Sequence, residues 1–417
     1  MDARDDNFFS KKELVPQGSK VAICGAPCLM DFHVENLPSG CDILFEDTVV
    51  TETDALLDFP IKSARFPLLR EVGRSSLAYS HLVSLTLDQV TTIGPCGLFS
   101  LRALEKLSMA NVQSICKRGC ANLVSLTSLS IPKLATCGPS AFEGCGLLSF
   151  YAPSLIAAGS NFLSKCLNLV LVHLPLLKTF PSHGAYMCSQ LRRATLESVT
   201  TVHNDAFNRC SLMTSVTCPN LLMVYACAFM CSKSLTLVTG LPSVKYIGPR
   251  AFKETGLQVV DCPNLQVAED YAFAFCPNLA KVTVGDNLLR VPSFFCYRSN
   301  VAEFVTRFAE MIGANAFAGC PMERFDTPDT MVYMDGTSFT SFKPSINTRV
   351  IYVGHHNVRT ELPDKYPTIG KVKKARLYSV QRSYFFFVHA CLRRHNLNND
   401  CISYILSFVS YVEMLSK

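Results

Sequence analysis

The sequence predicts an α/β solenoid, a chain wound into about 12 stacked turns of about 22 residues each. Two observations predict it: one residue frame returns at a near-constant period, and each copy passes from a short alternating apolar run into a compact turn. The clearest copy is Ala206-Phe207-Asn208-Arg209-Cys210, followed by Met213, Val216, Cys218, Pro219 and Leu221. The frame recurs at Ala141-Phe142-Glu143-Gly144-Cys145 with Leu148 and Pro153, and at Ala272-Phe273-Ala274-Phe275-Cys276 with Leu279, Val282 and Val284. Ala251-Phe252 leads into Leu257, Val260, Cys262, Pro263 and Leu265, and Ala316-Phe317-Ala318-Gly319-Cys320 is the last copy. With the Cys position as ruler, the anchors are Tyr79, Leu101, Cys120, Cys145, Cys166, Cys188, Cys210, Cys231, Thr255, Cys276, Cys296 and Cys320. A fixed period of this length with this leucine spacing marks a leucine-rich solenoid.

Each part of the frame has a physical role. The Leu-x-x-Val-x-Leu segment alternates, which predicts a short strand in a parallel ladder on the concave side. Proline then stops the strand, because it has no amide to give the next rung. Aliphatic-Gly pairs such as Ile93-Gly94, Ile247-Gly248 and Ile312-Gly313 turn the chain. Ala-Phe-x-x-Cys predicts a short helical or 3₁₀ turn on the convex side. There Phe stacks on its neighbours, and Cys serves as a small buried hydrophobe.

The Ala-Phe-x-x-Cys-x-x-Leu frame followed by strand and Pro resembles the BspA-like leucine-rich repeats, also called the Treponema pallidum type. The resemblance covers about 250 of the 417 residues. It implies a non-catalytic scaffold that binds a protein or matrix through the concave sheet, with surface adhesion as one role of the family.

Four regions are expected: an acidic lead and cap over 1–60, the solenoid over 61–325, an irregular cap and linker over 326–370, and a basic helical segment over 371–417. The net charge of +6 hides opposed ends. Residues 1–60 hold 4 Lys/Arg against 12 Asp/Glu, and residues 341–417 hold 12 against 4. The start, Met1-Asp2-Ala3-Arg4-Asp5-Asp6, is polar and acidic, so no signal peptide is expected. The most apolar window, Cys401 to Leu415, contains Glu413 and is too short to span a bilayer. Many of the 20 cysteines recur at one repeat position, which predicts reduced thiols in a cytoplasmic protein.

Function is expected on the concave face, whose outward candidates include Lys106, Phe150, His173, Arg192, Arg193, Asp261 and Lys281. Solenoids present such faces to extended partners that touch several turns at once. There is no Gly-x-Ser-x-Gly elbow and no Gly-rich phosphate loop, so no catalysis is expected. No metal or other cofactor is expected either: His389 and Cys391 lie two apart on a predicted helix and point different ways, and the pairs Cys116/Cys120 and Cys227/Cys231 contain repeat cysteines. The aromatic residues of the basic tail, Tyr384 to Phe387, are contiguous rather than interleaved with charge, which favours burial over nucleic-acid binding. A protein partner is therefore expected, with neither nucleic acid nor a small molecule. The segment Leu397 to Val409, with Ile402, Ile405 and Leu406, resembles the opening of an F-box helix. That resemblance implies an alternative role as substrate adaptor of a ubiquitin ligase. A helix capping the last turn accounts for the same residues.

Overall fold

The computed structural model describes residues 60–306 and 309–326 without interruption, with short stretches between residues 21 and 58 and between 333 and 353. Strands Ser149–Tyr151, Leu171–His173, Arg193–Thr195, Ser215–Thr217 and Leu237–Val238 pair in parallel, each with the next. Their middle residues Phe150, Val172, Ala194 and Val216 share one column, and all are buried. A second parallel ladder of two-residue strands accompanies the first, as in Thr179–Phe180, Thr201–Val202, Met223–Val224 and Tyr246–Ile247. The architecture is a β-solenoid of about 12 turns of about 22 residues, with both ladders parallel. The ladder passes both boundaries expected for it. Val21–Cys24 pairs with Asp42–Phe45, which pairs with Ser63–Arg65, and Tyr333–Asp335 pairs with Tyr352–Val353. Residues beyond 353, including the basic segment 371–417, lie outside the described residues.

The convex turn is not helical. Among the described residues the one helical element is the 3₁₀ turn Leu241–Ser243. Elsewhere the Ala-Phe-x-x-Cys segment carries two left-handed residues four apart, such as Asp205 (φ 54°) and Arg209 (φ 62°), and thirteen such pairs run from Asp54/Asp58 to Asn315/Gly319. The reason lies in the amides. Those of Asp205, Phe207 and Arg209 donate to the carbonyls of Ala226, Ala228 and Met230 one turn on. Those of Ala206, Asn208 and Cys210 close local turns onto the residues three before them. An α-helix needs every amide for its own axis. Here every second one is committed to the neighbouring turn, and the segment forms a third ladder.

The left-handed pairs also correct the repeat ruler. From the pair Ser75/Tyr79 onward, the residue following each second left-handed position is Ser80, Leu101, Leu123, Cys145, Cys166, Cys188, Cys210, Ser232, Thr255, Cys276, Ser299 or Cys320. These lie 21 to 23 residues apart, so Tyr79, Cys120, Cys231 and Cys296 are not the anchors. Most of the twelve are more than small hydrophobes. The thiols of Cys166, Cys188 and Cys210 donate to the carbonyls of Phe142, Leu163 and Ala185 at 3.1, 3.1 and 3.2 Å. Ser232 and Ser299 make the equivalent bonds to Phe207 and Phe273 at 2.9 and 2.6 Å. Where this position holds a small donor it reaches a backbone carbonyl, which is why Cys and Ser exchange there, and in two turns the buried Leu101 and Leu123 fill it instead.

A spine of phenylalanines fills the interior. Rings of Phe180, Phe207, Phe229, Phe252 and Phe273 follow one another with centroids 4.3, 5.4, 5.1 and 5.3 Å apart. Phe150 belongs to this spine rather than to the surface: it is 2% exposed and lies 5.0 Å from Phe142 and 6.0 Å from Phe162. The misplacement has a local cause. Cys145-Gly146-Leu147 is one residue shorter than Cys166-Leu167-Asn168-Leu169, and a one-residue slip exchanges the faces of a strand. Leu147 therefore takes the buried leucine site expected for Leu148. Gly146 makes the short path possible, because a Cβ there would lie 2.0 Å from the Val124 carbonyl oxygen. Phe150→Ala is expected to cost about 3–5 kcal/mol, as for a core aromatic. Urea unfolding measures this, and a surface position would give less than about 0.5 kcal/mol.

Burial also sets a pH limit on stability. It pushes the Cys210 and Cys218 thiols from 9.0 up to about 12. The folded chain holds these protons where the unfolded chain releases them, so the stabilisation is complete below pH 9.0 and is lost between there and about 12. Thermal unfolding is expected to be flat up to about pH 8 and to fall more alkaline than about pH 9. A Cys210→Ser/Cys218→Ser variant, which keeps both donors without the titration, is expected to fall less steeply over the same range.

Candidate functional site

The outward residues of the long-strand ladder are free of folding duties, and their character changes along it. On strands Ser149–Tyr151 and Leu171–His173 and just before them, Leu148, Tyr151 and Leu171 are 52%, 54% and 47% exposed. The Tyr151 and His173 rings lie 5.1 Å apart, and His173 Nε2 lies 3.3 Å from Glu197 Oε1. Leu171 is in register with Arg193, whose chain neighbour Arg192 is also exposed. Neither arginine has an ion pair among the described residues. The result is an apolar patch bordered by two guanidinium groups, on backbone fixed by the strand ladder.

Of the residues expected on this face, the structure groups His173, Arg192 and Arg193. Lys106 is exposed on Lys106–Ser108, in a shallow crease with Ser84, Glu105 and Ser128. Asp261 is exposed on Val259–Cys262, several turns away, and Lys281 there pairs with Glu303 at 3.1 Å. Glu303 also holds Arg324 at 3.2 Å. Phe150 points inward, as described above. Leu397, Ile402, Ile405, Leu406 and Val409 lie outside the described residues. Sequence reasoning missed Leu148, Tyr151 and Leu171. The signal that finds them is Gly146, which shortens the turn and brings Leu148 and Tyr151 outward.

Such a surface supports noncovalent recognition. Contiguous exposed apolar groups with arginine are the composition of docking faces. Among the described residues no group of three His, Cys, Asp or Glu is placed to hold a metal, and no helix is long and apolar enough to cross a membrane.

Stacked parallel turns built on this frame define a leucine-rich repeat protein. The BspA type leucine rich repeat model matches residues 58–149, 113–236 and 222–344 in six copies, and the chain belongs to that family. No curated protein matches it. Among solved structures, a leucine-rich repeat protein from Bacteroides ovatus is 15% identical, with 83% of this chain and 98% of that one covered and a TM-score of 0.43. A leucine-rich repeat protein of T. pallidum is 16% identical, over 50% of this chain and 89% of that one, with a TM-score of 0.33. The pneumococcal vaccine antigen PcpA is 18% identical, over 73% and 74%, with a TM-score of 0.37.

Because the outward residues carry no packing load, Tyr151→Ser, Leu171→Ser and Arg193→Ser are each expected to shift stability by less than about 0.5 kcal/mol. Thermal melts check this; a loss as large as that of a core residue would show that the patch is structural.

Proposed function

We propose that the protein is a non-catalytic scaffold whose partner is another protein, held on the long-strand face around Leu148, Tyr151, Leu171, Arg192 and Arg193. The observation that carries this reading is the exposed apolar patch with its two unpaired arginines. Burying Leu171 and Tyr151 under a partner recovers the transfer energy they forgo in the free chain. A rigid strand ladder adds little ordering cost on association. Lys106, Asp261 and Lys281 extend the same face and allow a partner that spans several turns. The interior thiols act as S–H donors, which supports a reducing, cytoplasmic setting, and a multi-turn face suits a chain that is one component of a larger assembly.

The test is affinity purification of tagged full-length protein from its native cells, beside a Leu171→Glu/Arg193→Glu variant. Protein partners recovered with the unaltered chain are expected to vanish with the variant, while its melting temperature stays the same. Recovery of the same partners by both would move the binding surface elsewhere. Free thiols at Cys166, Cys188 and Cys210 in protein alkylated at lysis support the reducing compartment, and disulfides there would contradict it.

A further inference from the structure

The convex turns between residues 250 and 298 carry a cluster that neither the core nor the strand face uses. Tyr271 and Phe294 stack at 4.6 Å with planes 3° apart. Phe275 and Tyr297 lie edge to face at 5.5 Å, and Phe294 lies 5.4 Å from Tyr297. Cations sit over these rings: Arg250 over Tyr271 at 5.6 Å, Lys253 over Phe275 at 5.1 Å, and Arg298 over Tyr297 at 5.2 Å. Lys253 is also 3.6 Å from Glu254, whereas Arg250 and Arg298 are exposed and have no ion pair among the described residues.

Folding does not ask for these residues. Tyr271, Phe275 and Phe294 occupy left-handed positions, with φ of 60°, 57° and 58°. Glycine or asparagine takes that conformation at less cost. Other turns fill the equivalent sites with residues that range from Gly144, Ser140 and Asn161 to Arg118, Lys165 and Met187, so the backbone does not select aromatic rings there. What sets these adjacent turns apart is four rings, Tyr271, Phe275, Phe294 and Tyr297, gathered at the surface under three cations, an arrangement the left-handed backbone does not require.

We propose that this convex cluster is a second docking surface, and that its partner is an acidic protein segment whose carboxylates meet Arg250 and Arg298. The stacked rings support the guanidinium groups, so that little side-chain freedom is lost when a carboxylate arrives. Nucleic acid fits less well. Base stacking needs open ring faces, and the faces of Tyr271, Phe275 and Tyr297 already carry a cation or a neighbouring ring. The cluster lies on the turn ladder and the apolar patch on the strand ladder, so the two surfaces can be occupied together.

The test is fluorescence anisotropy of the full-length chain with a labelled glutamate-rich peptide, beside a labelled thymidine oligonucleotide. Arg250→Glu with Arg298→Glu is expected to weaken peptide binding on the order of tenfold or more. Tyr271→Asn with Phe294→Asn, which suits the left-handed backbone and keeps the fold, is expected to weaken it several-fold. Arg192→Glu with Arg193→Glu is expected to leave it unchanged. The proposal is overturned if the unaltered chain does not bind the peptide, if it binds the oligonucleotide more tightly, or if the strand-face variant is the one that loses binding.

Discussion

The division of amides at the convex turn is the constraint on which the rest of the molecule depends. Asp205, Phe207 and Arg209 give theirs to the next turn, and the residues between them close locally. Successive turns are thereby tied on a third side as well as through the two strand ladders, so every side of the coil repeats at the spacing of a sheet. The alternation requires left-handed backbone at two positions per turn, and each costs a residue other than glycine about 1–2 kcal/mol. Three inter-turn hydrogen bonds of about 1 kcal/mol each offset that cost. A helix at this position would give up all three.

Once the turns are tied at fixed spacing, the interior has a fixed volume per rung, and the sequence conserves volume more strictly than residue type. Ala206-Phe207 and Ala251-Phe252 put the large ring second. Phe162-Leu163 and Phe295-Cys296 put it first and shrink the follower. Gly184-Ala185 supplies no ring at all, and Phe180 from the adjoining strand enters the gap and stacks on Phe207 at 4.3 Å. Core packing tolerates such exchanges when the total volume is kept. The aromatic spine therefore stays continuous even though no single sequence column supplies it.

The period, the parallel strands and the prolines that end them were legible in the sequence, because each follows from alternation or from a missing amide. The turn was not. Apolar residues at the first, second and fifth places of Ala-Phe-x-x-Cys suit a helical turn and a left-handed one equally, and nothing local reports where the amides go. The ruler failed for a related reason. Cys120 and Cys296 sit where other turns place Phe, and Cys231 occupies a left-handed position, so identity of residue misled where the hydrogen-bonding role did not. Of the candidate face, His173, Arg192 and Arg193 were readable from alternation. Leu148, Tyr151 and Phe150 were not, because Gly146 shortens one copy and alternation has no memory of register.

A solenoid of this kind separates the residues that make the fold from those that face the solvent more cleanly than a globular core does. Inward positions answer to the spine, and in most turns the residue after the second left-handed position answers to a carbonyl one turn back. Outward positions answer to neither, so stability alone leaves them polar and small, as at Ser149, Ser215 and Thr217. Two departures from that default carry the candidate surfaces. Leu148, Tyr151 and Leu171 expose apolar surface on the strand ladder, as Leu237 and Val259 do further along it, and Tyr271, Phe275 and Phe294 set aromatic rings on the turn ladder. Both sit on a backbone tied to its neighbours by inter-turn hydrogen bonds. If both faces are occupied as proposed, the ladders that fix the rungs also fix the spacing between the two partners.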